Sequence, residues 1–231
     1  MIETHTNADM SHQNSLKYQL GEIKNSIAEN GLSSTIDKIG QRLFYKFKGI
    51  DFSTQNIYDL TRTGEHQENG TALVSTSKDF FQKVFGDLEE AIGKKINKKL
   101  FIDYGSGKGA AIIHAKNAGF EKSIGIEFAK ELHEKALENI EKLNIKDVLS
   151  LYQDATEFPP PKETSVIYFF NPFDEVVMEK VVQTIISQKD NFTNEVYIIY
   201  GNPSCNTLDK YFTLIKQTIH LSGARVNYYK I

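Results

Sequence analysis

The chain has 231 residues, 40% of them hydrophobic, which is enough for one domain with a sizeable core and an extension. Its formal charge of -3 excludes a global basic field, so binding long nucleic acid would require a local basic patch that the composition does not show. The single cysteine excludes an internal disulfide framework, and the scattered histidines predict no metal site. No stretch reads as a signal peptide or a membrane span, so we expect a soluble, cytoplasmic protein.

The N-terminal third predicts a tail followed by a helical extension. Residues 1–14 are polar and are expected to be disordered, and residues 15–75 are assigned to the extension. Helical spacing of apolar residues predicts one helix that ends at Asn30-Gly31 and a second that starts near Ser34. The polar, turn-rich segment from Lys48 to Thr71 predicts a loop over the ligand site that becomes ordered when ligand binds, and a mobile linker is an open alternative.

The remaining residues, 76–231, predict an α/β domain. A helix capped by Ser75 or Ser77 comes first, and from Leu100 onward strands alternate with helices, as in a parallel sheet covered on both faces. The tail breaks this alternation and predicts an antiparallel hairpin around Ser222-Gly223. We therefore expect a doubly wound, mostly parallel, seven-stranded sheet with a C-terminal antiparallel hairpin and an N-terminal helical extension.

The stretch "DYGSGKG" after the first strand lies at the turn where such sheets bind ligands. Read as Gly105-x-Gly107-x-x-Ala110 it passes the loose dinucleotide fingerprint, and Glu127 at the end of the next strand would hold a ribose. The loop alone therefore leaves a nicotinamide-dependent oxidoreductase open. Asp103 favours a different ligand, because a carboxylate there would repel a pyrophosphate but suits a cationic amino acid group such as that of S-adenosylmethionine.

Together with Gly109, the stretch "IDYGSGKG" resembles the D-x-G-x-G-x-G motif of class I S-adenosylmethionine-dependent methyltransferases. "GIEF", "QDATEF" and "FFNPF" resemble later landmarks of that family, and the resemblance covers roughly residues 70–231. It implies S-adenosylmethionine as the cofactor, held by the following residues: Asp103, Gly105, Ser106, Gly107 and Gly109 at the methionine end, Glu127 at the ribose, and Phe128, Asp154 and Ala155 at the adenine. For Asp154, a plain turn cap is an open alternative, and for Phe128 so is core packing.

The stretch "NPF" at the end of the fourth strand resembles the Asn-Pro-Pro-aromatic motif of methyltransferases that act on nitrogen. The resemblance implies that Asn171, Pro172 and Phe173 meet the methyl acceptor and that Asn171 also lies beside the cofactor. One proline of that motif is missing, so a simple turn into the following helix is an open alternative.

The acceptor remains open between a protein side chain, a nucleobase and a small molecule, and the sequence predicts no oligomeric state. A non-catalytic module that binds the cofactor without turnover is the remaining alternative.

Overall fold

The computed structural model describes residues 39–53, 78–220 and 223–231, together with positions 21, 24, 27, 28, 31, 32, 35 and 36. The chain divides into two compact units, Met1–Gly49 and Ile50–Ile231. The predicted caps at Ser75 and Ser77 and most of the predicted loop from Lys48 to Thr71 lie outside the described residues.

In the first unit, residues 39–48 form a helix. The helix ends at Gly49, which has a left-handed φ of 65° and donates its N–H to the Lys46 carbonyl at 3.1 Å. Glycine adopts this conformation without the steric cost that a Cβ would add, so it stops a helix readily.

The second unit alternates strands and helices in the predicted order. The helices are α1 (Lys78–Ile92), α2 (Ala110–Asn117), α3 (Lys130–Leu143) and α4 (Glu175–Ile186). The strands are β1 (Leu100–Tyr104), β2 (Lys122–Glu127), β3 (Val148–Tyr152), β4 (Thr164–Phe170), β5 (Tyr197–Gly201), β6 (Thr213–Ile219) and β7 (Arg225–Lys230). Short 3-10 turns cover Ala155–Glu157, Lys189–Asn191 and Thr207–Lys210.

All seven strands form one sheet in the order β3-β2-β1-β4-β5-β7-β6. The first five strands pair in parallel, and β7 pairs antiparallel with both β5 and β6. The predicted mostly parallel sheet with an antiparallel C-terminal hairpin is therefore confirmed. Strand order reverses between β1 and β4. In sheets of this kind, ligands bind in the crevice at the carboxyl ends of the strands where the order reverses.

The core lies on both faces of this sheet, as the continuous apolar strands require. One face packs against α4, and the other packs against α1 and α2 with an aromatic cluster that includes Phe81, Phe101 and Tyr168. Asp103 and Tyr168 are paired in register across β1 and β4, so both side chains stand on the same face of the sheet. No helix among the described residues is long and apolar enough to cross a membrane.

Candidate functional site

The glycine loop between β1 and α2 folds back tightly against β2. Gly105, Gly107 and Gly109 have φ values of 84°, 54° and 84°, all in the left-handed region. The N–H groups of Gly105 and Ser106 both donate to the Ile126 carbonyl, at 2.9 and 3.0 Å. A Cβ on Gly105 would stand 2.6 Å from the Cβ of Pro172. The loop therefore needs glycine here, both because of the left-handed backbone angle and because a side chain would clash with Pro172.

Asp103 lies in β1, two residues before the loop begins, and is only 3% exposed. Within the part of the chain that the structure describes, its carboxyl group accepts no hydrogen bond and forms no ion pair. Burial raises its pKa well above the usual range, and repulsion by the nearby Glu127 carboxylate raises it further. Burial therefore disfavours the carboxylate form of Asp103, and a bound cationic group would stabilise that form.

Glu127, at the end of β2, holds the loop from below. One carboxylate oxygen accepts the Gly107 N–H at 2.7 Å, and the other accepts the Ala129 N–H at 2.8 Å. A carboxylate oxygen accepts more than one hydrogen bond, so a carboxylate at this place suits the hydroxyl groups of a ligand.

The predicted adenine residues follow β2 and β3. Phe128 is half-buried, whereas Asp154 and Ala155 are buried. Asp154 caps the 3-10 turn, since its Oδ1 accepts from both the N–H and the hydroxyl of Thr156 at 2.8 Å. The turn cap is therefore present in the structure, while the adenine contacts remain predictions.

At the end of β4, the structure separates the three residues of the predicted acceptor motif. Asn171 adopts a left-handed φ of 48° and donates its N–H to the Gly201 carbonyl at 3.0 Å. Pro172 lies against Gly105, at the glycine loop. Phe173 is 4% exposed and packs in the core near α4. Its contact with an acceptor stays a prediction, and the ring is buried in this structure.

Two further features of the loop were not recognised in the sequence. The Ser106 side chain is buried against β2, where a Cβ on Gly125 would approach it to 2.5 Å, so Gly125 makes room for the loop. The Lys108 side chain is 5% exposed and pairs with Asp51. A glycine within an apolar strand signals such a close approach, but nothing near Lys108 in the sequence indicates its distant partner.

Among the described residues, no group of three or more histidine, cysteine, aspartate or glutamate side chains could hold a metal ion. The site is instead a backbone cradle with two buried carboxylates. This arrangement can hold a ligand that carries a positive charge and hydroxyl groups.

No protein-family profile matches the chain, and no curated protein sequence does. Many solved structures match. An RNA methyltransferase from Salinibacter ruber, solved with S-adenosyl-L-homocysteine, is 18% identical with a TM-score of 0.52, over 68% of this chain and 94% of that one. A 16S rRNA methyltransferase from T. thermophilus, solved with AdoMet and guanosine, is 15% identical with a TM-score of 0.50, over 68% of this chain and 43% of that one. The chain therefore has the fold of the class I S-adenosylmethionine-dependent methyltransferases.

Proposed function

We propose that this protein is an S-adenosylmethionine-dependent methyltransferase that transfers a methyl group to an acceptor still to be identified. The observation that carries this proposal is the buried carboxyl group of Asp103, which has no cationic partner within the described chain and lies under a glycine loop. The fold comparison supports the same reaction class.

The residues fit this cofactor. Asp103 and the backbone from Gly105 to Gly109 would hold the methionine end, where the α-amino group supplies the missing positive charge. Glu127 would accept from the ribose hydroxyls, and Phe128, Asp154 and the Ala155 backbone would line the adenine site. When bound, the cofactor supplies an electrophilic methyl group on a sulfonium.

A dinucleotide fits the same site less well. Its pyrophosphate would have to sit at the loop beside Asp103, a buried carboxyl whose ionisation the nearby Glu127 carboxylate already disfavours. The oxidoreductase alternative is therefore not favoured.

The end of β4 is the place where an acceptor would meet the cofactor. Pro172 touches the loop at Gly105, so the Asn171-Pro172 turn borders the predicted methionine end. Methyl transfer from a sulfonium needs an aligned and desolvated nucleophile more than a strong base, so these residues would act by orienting the acceptor and excluding water. Asn171 would also contact the cofactor, as the resemblance implies.

The acceptor class is tested by a screen with tritiated-methyl S-adenosylmethionine against cell extract split into protein, RNA, DNA and small-molecule fractions. We expect label in one fraction that depends on the enzyme and is lost with Asp103→Ala. Cofactor binding without label transfer to any fraction would contradict catalysis and favour a non-catalytic binding module.

Ligand affinity is expected to depend on pH through Asp103. Because the folded, ligand-free protein raises the pKa of this carboxyl, the acid is neutral at low pH and attracts no cation. Affinity for S-adenosylhomocysteine should therefore increase as pH rises through that pKa, with proton release on binding. Calorimetry in buffers of different ionisation enthalpy measures the release. An identical pH profile for Asp103→Asn would contradict this account.

The substitution Glu127→Gln is expected to weaken S-adenosylhomocysteine binding by about 1 to 3 kcal/mol, the scale of a lost charge-assisted hydrogen bond. The variant keeps the shape of the side chain but replaces one acceptor oxygen with a donor that faces a backbone N–H. Calorimetry measures the change. Glu121→Gln is the control and should leave the affinity unchanged, because Glu121 is exposed and directly precedes the amino end of β2, whereas Glu127 lies at its carboxyl end.

A further inference from the structure

A short segment, residues 50–53, contacts the glycine loop although it lies 55 residues or more away in the sequence. The Lys108 ammonium donates to Asp51 Oδ2 at 2.7 Å and to Ser53 Oγ at 3.2 Å. Both carboxylate oxygens of Asp51 are engaged, because Oδ1 accepts the Ser53 N–H at 2.8 Å. The segment is thereby fastened to a side chain that belongs to the loop itself.

Asn139 of α3 provides a second connection between the same two pieces of chain. Its side chain is fully buried, and its Oδ1 accepts the Asp51 N–H at 3.0 Å. Its amide nitrogen donates both to the Asp51 carbonyl at 2.9 Å and to the Lys108 carbonyl at 3.0 Å. One side chain therefore ties the backbone of the segment to the backbone of the loop.

The charges make this connection costly to break. Partial burial raises the pKa of Asp51, but the hydrogen bonds from Lys108 and Ser53 outweigh it and lower the pKa to about 2. Lys108 is far less exposed than Asp51, at 5% against 40% of the side chain. If the segment withdrew, it would leave a buried ammonium without its carboxylate, which is more unfavourable than the loss of a surface ion pair.

The loop depends on such contacts for its shape. Lys108 lies between Gly107 and Gly109, and glycines give a loop many alternative conformations. Glu127 restrains the loop at Gly107, while Asn139 and Asp51 restrain it at Lys108.

We propose that Asp51, Lys108 and Asn139 form a latch that holds the glycine loop in its ligand-binding conformation, so that they are positioning residues for the cofactor. This inference rests on the proposed function, because it assumes that the loop binds S-adenosylmethionine. It adds a determinant of affinity that lies outside the motif and requires no contact with the ligand.

The test is a double-mutant cycle with Asp51→Asn, Lys108→Met and the pair combined. We expect each single variant to weaken S-adenosylhomocysteine binding at least fivefold. The combined variant should lose no more than the worse single one, because the two groups act as one unit. Lys108→Arg, which keeps the charge, should recover most of the affinity. Urea unfolding of each ligand-free variant shows how much folded protein is present, and affinities are compared at equal folded fraction.

The matched control is the exposed ion pair between Lys99 and Glu121, whose Nζ–Oε1 distance is 2.6 Å. Lys99→Met and Glu121→Gln remove the same kinds of charge away from the loop and should leave the affinity within twofold of wild type. If Asp51→Asn and Lys108→Met also stay within twofold while wild type binds, the latch is wrong. If wild type itself does not bind, the proposed function fails instead.

Hydrogen exchange tests the latch without any ligand. The Gly107 and Gly109 N–H groups donate to Glu127 and to the Ser106 carbonyl, so both should be protected in the wild-type protein. We expect Asp51→Asn and Lys108→Met to exchange faster at these amides, whereas the control pair should not. Unchanged protection in both latch variants would overturn the inference even if the protein proves to bind another ligand.

Discussion

Replacing Asp103 with asparagine is expected to weaken S-adenosylhomocysteine binding about 10- to 100-fold, the loss of a charge-assisted hydrogen bond in a buried site. The same change should raise the free energy of unfolding of the ligand-free protein. Asparagine keeps the size of the side chain but cannot ionise. The substitution thus separates what the carboxylate does for the ligand from what it costs the fold.

The sign of the stability change follows from the raised pKa. An aspartate whose folded pKa lies above its unfolded value is favourable only at low pH, and its penalty grows as pH rises from the unfolded value towards the folded one. At neutral pH wild type therefore carries a cost that Asp103→Asn removes, and a bound cationic group would offset the same cost. Urea unfolding at neutral pH, with and without S-adenosylhomocysteine, measures both effects. A variant that is less stable than wild type without ligand would contradict this reading of Asp103.

The substitution Gly105→Ala is expected to be the most damaging to the loop. Alanine at a left-handed φ of 84° costs about 1 to 2 kcal/mol. Its Cβ would also stand 2.6 Å from that of Pro172, and such overpacking adds about 1 to 3 kcal/mol. We therefore expect a loss of about 2 to 5 kcal/mol in unfolding free energy, together with loss of ligand binding because the loop and the Asn171-Pro172 turn are pushed apart.

Gly93→Ala is the matched control for this prediction. Gly93 also has a left-handed φ, of 68°, but a Cβ there would meet nothing within 4 Å. It should show only the backbone cost and retain full ligand affinity. Equal losses of stability in the two variants would mean that the contact with Pro172 contributes nothing.

The sheet could be predicted because each strand is signalled by residues that are neighbours in the sequence. Each parallel strand is a short apolar run bounded by turn residues, as in β1 (Leu100–Tyr104) and β3 (Val148–Tyr152). The cradle could be predicted for the same reason, since Asp103 and the three glycines lie within seven residues. Glu127 follows one strand later.

The supports of the cradle could not be predicted, because they join distant parts of the chain. Asn139 and Asp51 are 88 positions apart, and neither residue type signals the other. The same limit applies at the end of β4, where the letters "NPF" suggest three adjacent contacts with an acceptor. In the structure Phe173 packs in the core and Pro172 lies against the loop, positions that are decided by packing, and the contacts of all three residues with an acceptor stay predictions.

Calorimetric titration of the purified protein with S-adenosylhomocysteine, S-adenosylmethionine, NAD and NADP tests the central claim most directly. The account predicts saturable binding of the first two ligands, with the affinity for S-adenosylhomocysteine reduced in Asp103→Asn and in Glu127→Gln. It predicts no binding of either dinucleotide, because both would place a pyrophosphate beside the buried carboxyl group of Asp103. Binding of NAD or NADP, with none of S-adenosylmethionine or S-adenosylhomocysteine up to millimolar ligand, would contradict it.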